Sequence, residues 1–142
     1  MTRRPDWQER LSRFLGVYAR RPFRYGEWDC CLFVCDAVLE MTGTDLAADF
    51  RGAYASRETA YAAICKATGK RSVRAVAELV TRRAGMPQVP ILYARRGDVV
   101  LIQRKTDCSL GLLSLTGKEI IVLRSRILCK LPISHGLLAW HV

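Results

Sequence analysis

Arg24-Tyr-Gly-Glu-Trp-Asp-Cys-Cys-Leu-Phe-Val-Cys-Asp-Ala-Val-Leu-Glu-Met-Thr-Gly43 is a loop that delivers a cysteine to the start of a buried helix. Asp29 is a good N-cap, because its side-chain oxygen can accept from free N–H groups of the next turn. Gly43 suits the residue after a helix end, so the helix is predicted from Cys30 to Thr42. Asp29, Phe33, Asp36 and Glu40 fall on one mostly polar stripe. Cys30, Val34, Ala37 and Met41 form a second row, and Cys31, Cys35, Val38 and Leu39 a third. So narrow a charged strip predicts a helix surrounded by protein on most sides. A thiol in the first turn meets unpaired N–H groups and the positive end of the helix dipole, which favour thiolate. Cys30 is therefore a candidate nucleophile. The alternative is a small buried hydrophobe, the usual state of a free cysteine.

Working outward, the chain of 142 residues suits one domain with one core, and half of its residues are hydrophobic. No apolar run approaches the length of a membrane span. The start, Met1 to Arg10, has no apolar segment after its charges, so no secretory signal is expected and folding in the cytosol is. That compartment argues for free thiols at Cys30, Cys31, Cys35, Cys65, Cys108 and Cys129. No CxxC pair exists, so neither a zinc site nor another cofactor is expected. Cys31 and Cys35 could share a metal with Cys65 or Cys129, but core packing is the stronger reading. The net charge of +10 comes from 23 basic and 13 acidic residues. It would suit nucleic acid, an anionic surface or an acidic protein. The arginines are scattered, and no nucleic-acid-binding signature accompanies them. A solvated basic face or a protein contact surface is expected instead.

Asp6 to Arg20 reads as a helix with Trp7, Leu11, Phe14, Leu15 and Tyr18 on one face, ended by Pro22. Phe23 to Trp28 reads as an aromatic loop forming one wall of a cleft. Thr44 to Gly52 is a short helical turn and loop. Arg57 to Ala67 and Ser72 to Ala84 are further helices, capped by Ser56 and Ser72 and followed by Gly69 and Gly85. Pro87 and Pro90 end the helical part. Strands follow at Val99–Gln103, Leu110–Leu115, Glu119–Leu123, Ile127–Ile133 and Leu137–Val142, with Thr116-Gly117 as a hairpin turn. Helices over 1–85 and strands over 91–142 predict a single α+β domain, 1–142, with helices packed on an antiparallel sheet of about five strands.

The Asp29-Cys30 pair followed by Leu32-Phe33, with Arg96-Gly-Asp-Val-Val100 opening the sheet, resembles the NlpC-type papain-like cell-wall peptidases. The resemblance implies a papain-like fold. It also implies a helix-borne cysteine, here Cys30, that attacks an amide of a peptidoglycan stem peptide with a histidine from the next strand as base. The chain is closer still to small phage and prophage proteins encoded among tail genes. They share the Tyr25-to-Cys31 stretch, the Arg51-Gly52 step and the Ala139-Trp140 ending. Where the peptidases carry a His-Val-Gly-Ile-like run, this chain has Ser109-Leu110-Gly111-Leu112. Serine cannot take a proton from a thiol at neutral pH. The histidines present, His135 and His141, fall at the last strand and are expected at the surface.

The resemblance therefore implies a structural component of a phage or prophage tail tip or baseplate, a pseudoenzyme made in the host cytoplasm and carried in the virion tail. Its partners would be hub, distal tail and central fibre proteins, with peptidoglycan as a further ligand. The alternative is an active cysteine peptidase or amidase with Cys30 as nucleophile.

Overall fold

A computed structural model describes all residues, 1–142. The element order is α1 (Trp7–Val17), α2 (Leu32–Thr42), α3 (Arg57–Thr68) and α4 (Val73–Arg83), then β1 (Gln88–Pro90), β2 (Val99–Gln103), β3 (Cys108–Leu113), β4 (Glu119–Arg124), β5 (Ile127–Pro132) and β6 (Gly136–Trp140). The chain is α+β, as expected, but its antiparallel sheet has six strands in the order β1-β6-β2-β3-β4-β5, not about five. The additional strand is β1, which lies between Pro87 and the end of the proline-bounded segment and pairs Val89 with Ala139. Proline lacks the N–H that a central strand needs, so β1 is tolerated only because it lies at the edge. The first helix stops at Val17 rather than Arg20; Tyr18 and Arg21 close turns onto Phe14 and Tyr18 instead.

Alternation along the strands divides the core between two faces. Val99, Leu101, Leu110, Leu112, Ile121, Leu123, Leu138 and Trp140 pack with α1, α2 and α4. Val100, Ile102, Leu113, Ile120, Val122 and Ala139 fill the other face, against Ile91, Ala94, Leu131 and Ile133. The helix α2 sits deepest. Leu32, Phe33, Val34, Ala37, Val38 and Met41 are all buried, and the narrow charged strip of the sequence is real. Phe33 is an exception to that strip, because its ring turns inward against Trp28.

The C-terminal end of α2 meets the start of β2. Gly97 has φ +81 there, and a side chain at this position would strike the Trp7 ring and the Met41 sulfur. Next to it Asp98 is fully buried. Its Oδ1 accepts from Arg3 Nη2 at 2.7 Å and from the Val142 amide at 3.2 Å. Its Oδ2 accepts from the Arg95 amide at 2.7 Å and lies 2.6 Å from His141 Nδ1. One carboxylate thus ties both chain termini to the sheet. His141 is half-buried in this clasp, contrary to the expectation of a surface position, because the Asp98 carboxylate holds its ring.

Removing a buried carboxylate strands the charge of its partner and the donors around it. Asp98→Ala is therefore expected to lower unfolding stability by about 3–5 kcal/mol in denaturant titration. A midpoint equal to wild type would show the clasp to be dispensable.

Candidate functional site

The loop before α2 is built around Asp29, which is 2% exposed. Its Oδ1 accepts from the amides of Cys31 at 3.1 Å and Leu32 at 2.9 Å. Its Oδ2 accepts from the Gly26 amide at 3.1 Å and from the Tyr54 hydroxyl at 2.6 Å. Asp29 thus caps the helix as the sequence predicts, but the helix begins at Leu32, two residues later than expected. Cys30 stands before the first turn, not in it. The N–H groups that were to stabilise its thiolate already serve the Asp29 carboxylate. Gly26 completes the loop: its φ is +82, and a Cβ there would lie 2.0 Å from the Tyr54 carbonyl oxygen. Its own carbonyl accepts from the Gly52 amide at 3.0 Å.

The Arg51-Gly52 step has a physical role in this arrangement. Arg51 reaches Asp36 on α2 at 2.6 Å and holds Asp45 with its Nε at 2.9 Å. The segment carrying Tyr54 is thereby fastened to the side of α2, which presents the Tyr54 hydroxyl to Asp29. The predicted helical turn at Thr44 to Gly52 is a set of turns closed by Phe50 and Arg51 amides on the Ala47 carbonyl.

Cys30 and Cys31 open on a cleft of about 680 Å³ between the α2 loop, α3, α4 and the β3–β4 end of the sheet. Phe23, Tyr25, Tyr54 and Tyr61 supply aromatic wall, and Arg57, Arg104 and Arg124 supply positive charge. The Phe23-to-Trp28 loop does form one wall. Across the cleft Tyr61 donates to Asp107 Oδ2 at 2.5 Å, and burial together with that carboxylate pushes the phenol up to about 12. Burial and the neighbouring Asp29 push Tyr54 up further, so both hydroxyls are fixed donors at neutral pH.

The sulfurs of Cys30 and Cys31 lie 3.9 Å apart. The Cys30 thiol is held below its ordinary value, first by the Cys31 S–H, against burial and Asp29, with help from Ser109 and Arg104. Cys31 is driven well up by the same contact and by burial. Of this pair Cys30 ionises first, and it alone has the Ser109 hydroxyl and Arg104 charge beside it. Ser109, on β3, is 4% exposed, and its Oγ has no hydrogen-bond partner of ordinary geometry. It is best described as a polar neighbour of the Cys30 sulfur rather than a formed bond. Ser109 is therefore next to the nucleophile candidate.

Neither histidine takes its place. His141 is bound to Asp98 beside the C-terminal end of α2, while Cys30 precedes the N-terminal end. A helix of 11 residues separates them, about 16 Å at 1.5 Å per residue. His135 is exposed in the turn before β6 and does not line the cleft. The cysteines do not assemble either. Cys65 is exposed on α3, Cys35 is buried in α2 and pushed up to about 12, and Cys129 lies on edge strand β5. No group of three or more His, Cys, Asp or Glu side chains is arranged to hold a metal ion. No helix is long and apolar enough to cross a membrane.

A family model described as a domain of unknown function, DUF6950, matches residues 2–142. The chain belongs to the DUF6950 family. No curated protein matches its sequence. For this DUF6950 domain the residues that the sequence alone did not bring forward are Tyr54, Tyr61, Arg104 and Asp107. Tyr54 stands 25 positions from Asp29 and Tyr61 stands 46 from Asp107, so no local pattern joins them.

Asn at position 29 can keep the Cys31 and Leu32 contacts but turns an N–H₂ toward the Gly26 amide. Asp29→Asn is expected to cost about 1–3 kcal/mol in denaturant titration, and Asp29→Ala more. Equal stability of all three proteins would contradict the hub. Because its pKa is lowered, Cys30 reaches half-maximal thiolate at a lower pH than a free cysteine. Alkylation of Cys30 by iodoacetamide should rise at a lower pH than that of a cysteine in an unstructured peptide and outpace Cys31 and Cys108, both raised. A midpoint above that of the peptide cysteine would contradict the pairing.

Proposed function

We propose that this domain is a papain-like, NlpC-type scaffold that has lost catalysis and serves as a structural component of a phage or prophage tail tip or baseplate. The observation that carries the reading is the sulfur without a base: Cys30 has Cys31 and Ser109 beside it, and neither imidazole within reach. The α+β order, a cysteine at the mouth of a cleft before the central helix, and Ser109 adjoining that cysteine from β3 all support the likeness to the peptidases. A fold carries no activity by itself; here the pocket survives as a binding surface. Its aromatic wall and arginines suit a protein segment with acidic groups, such as one from a hub, distal tail or central fibre protein.

A second reading, a cysteine peptidase acting on peptidoglycan stem peptides, is favoured by the lowered Cys30 pKa alone. A thiolate attacks, but the leaving amine still needs a proton donor, and neither a serine hydroxyl nor a thiol of raised pKa is matched to that task at neutral pH.

Incubation of purified protein with stem-peptide fragments is expected to yield no cleavage above a Cys30→Ser control. Co-expression with the hub and distal tail proteins is expected to yield a complex that survives gel filtration. Wild-type cleavage that disappears in Cys30→Ser would establish the peptidase instead. The absence of any complex, together with particles that assemble and infect without the protein, would remove the structural reading.

A further inference from the structure

The loss of a histidine leaves the adjacent thiols without a hydrolytic use, yet their arrangement is suited to another reaction. We propose that Cys30 and Cys31 form a reversible vicinal disulfide when a hydroperoxide enters the cleft, making the pair a peroxide-sensitive modification site. The proposal goes beyond the binding role above and does not depend on which protein fills the cleft.

The geometry supplies each requirement. The two sulfurs are 3.9 Å apart, both cysteines are half-buried, and both line the cleft, so a small oxidant reaches them. Either sulfur can donate to the other across this contact, but Cys30 is held below its ordinary value and Cys31 above it, which makes Cys30 the nucleophile and Cys31 the resolving thiol. Arg104 and the unpartnered Ser109 hydroxyl line the same cleft and favour negative charge at Cys30, so they can also stabilise an oxygen anion departing beside it. No imidazole is required, because the alkoxide that leaves a hydroperoxide is far less basic than the nitrogen anion that unassisted C–N cleavage would expel. Cys35, within α2, is buried one turn beyond Cys31, and its raised pKa keeps it as thiol.

The steps balance. The Cys30 thiolate attacks one oxygen of the hydroperoxide, ROOH. The O–O bond breaks, alkoxide leaves and takes a proton from solvent, and Cys30 becomes a sulfenic acid. The Cys31 sulfur then attacks the Cys30 sulfur. Its proton and the sulfenic hydroxyl leave as water, and an S–S bond forms. Two electrons pass from the thiol pair to the peroxide.

Closure requires the sulfurs to move from 3.9 Å to about 2.05 Å by side-chain rotation. Adjacent α-carbons are only about 3.8 Å apart, below the usual disulfide range of about 4.4–6.8 Å. The ring is therefore strained, and strained disulfides are the easily reduced, regulatory ones. The oxidised form is expected to revert in the presence of glutathione. The Cys30-Cys31 peptide also carries an amide donor to Asp29, so closure pulls directly on the loop that shapes the cleft.

The test is peroxide treatment of the folded full chain, alkylation of remaining thiols, and mass analysis of the tryptic peptide from Tyr25 to Arg51, which holds Cys30, Cys31 and Cys35. The expected result is loss of two alkylatable thiols from that peptide, a mass lower by two hydrogen atoms, and Cys35 still alkylated. Glutathione should restore both thiols. In Cys31→Ser the sulfenic acid has no resolving thiol, and dimedone should trap it on Cys30. Because a variant can misfold, wild type also serves: phenylarsine oxide, which needs two close thiols, should bind one per chain and block the peroxide reaction. A sulfinic acid on Cys30 with Cys31 still free, a bond to Cys35, or no arsenical capture would each overturn the proposal.

Discussion

The Asp29 carboxylate is the contact on which the rest depends. It is buried beside no cation, and it is stabilised instead by amides of Gly26, Cys31 and Leu32 and the hydroxyl of Tyr54. A buried charge without such donors costs several kcal/mol, so each partner is constrained in turn. Gly26 must be glycine because the Tyr54 carbonyl oxygen fills the space of a side chain. Tyr54 must arrive at that point, and Arg51 bound to Asp36 and Asp45 brings it there. The helix must start at Leu32 because its first amides are already claimed. The position of Cys30 at the cleft mouth is a consequence of these constraints.

The same carboxylate changes the chemistry of the cysteine it positions. A helix N-terminus activates a thiol through free N–H groups. Here Asp29 consumes those groups and adds a negative charge nearby, which opposes ionisation of Cys30. What lowers the thiol is the neighbouring S–H, with smaller help from Ser109 and Arg104. Stabilising a thiolate and using it in amide hydrolysis are separate requirements. The second needs a group that accepts and returns a proton near neutral pH, and the groups beside Cys30 do not titrate there.

Much of the fold was legible in the sequence because its signals are local. Ser56 and Ser72 cap their helices, Gly43 and Gly69 end theirs in the left-handed region, and Val99–Gln103 is a strand with the predicted ends. Strand β1 was not legible, because prolines bracket a segment that pairs only at the sheet edge. The start of α2 was misjudged by two residues, since the Asp29 side chain caps from two positions before the N-cap residue Cys31. The Asp98 clasp was also hidden. It joins Arg3 and His141, distant in sequence, and its formation removes His141 from any role beside Cys30. Ser109 drew notice in the sequence only through the resemblance to the peptidases; the strand pattern alone gives it no special meaning.

The isolation of the Cys30 sulfur from both imidazoles is tested most directly by following its ionisation with ¹³C-labelled cysteine in a pH titration by NMR, alongside the ring signals of His135 and His141. A single Cys30 step is expected, with neither imidazole signal moving in concert with it. A Cys30 step that coincides with, or is split by, the titration of a histidine ring would contradict that isolation.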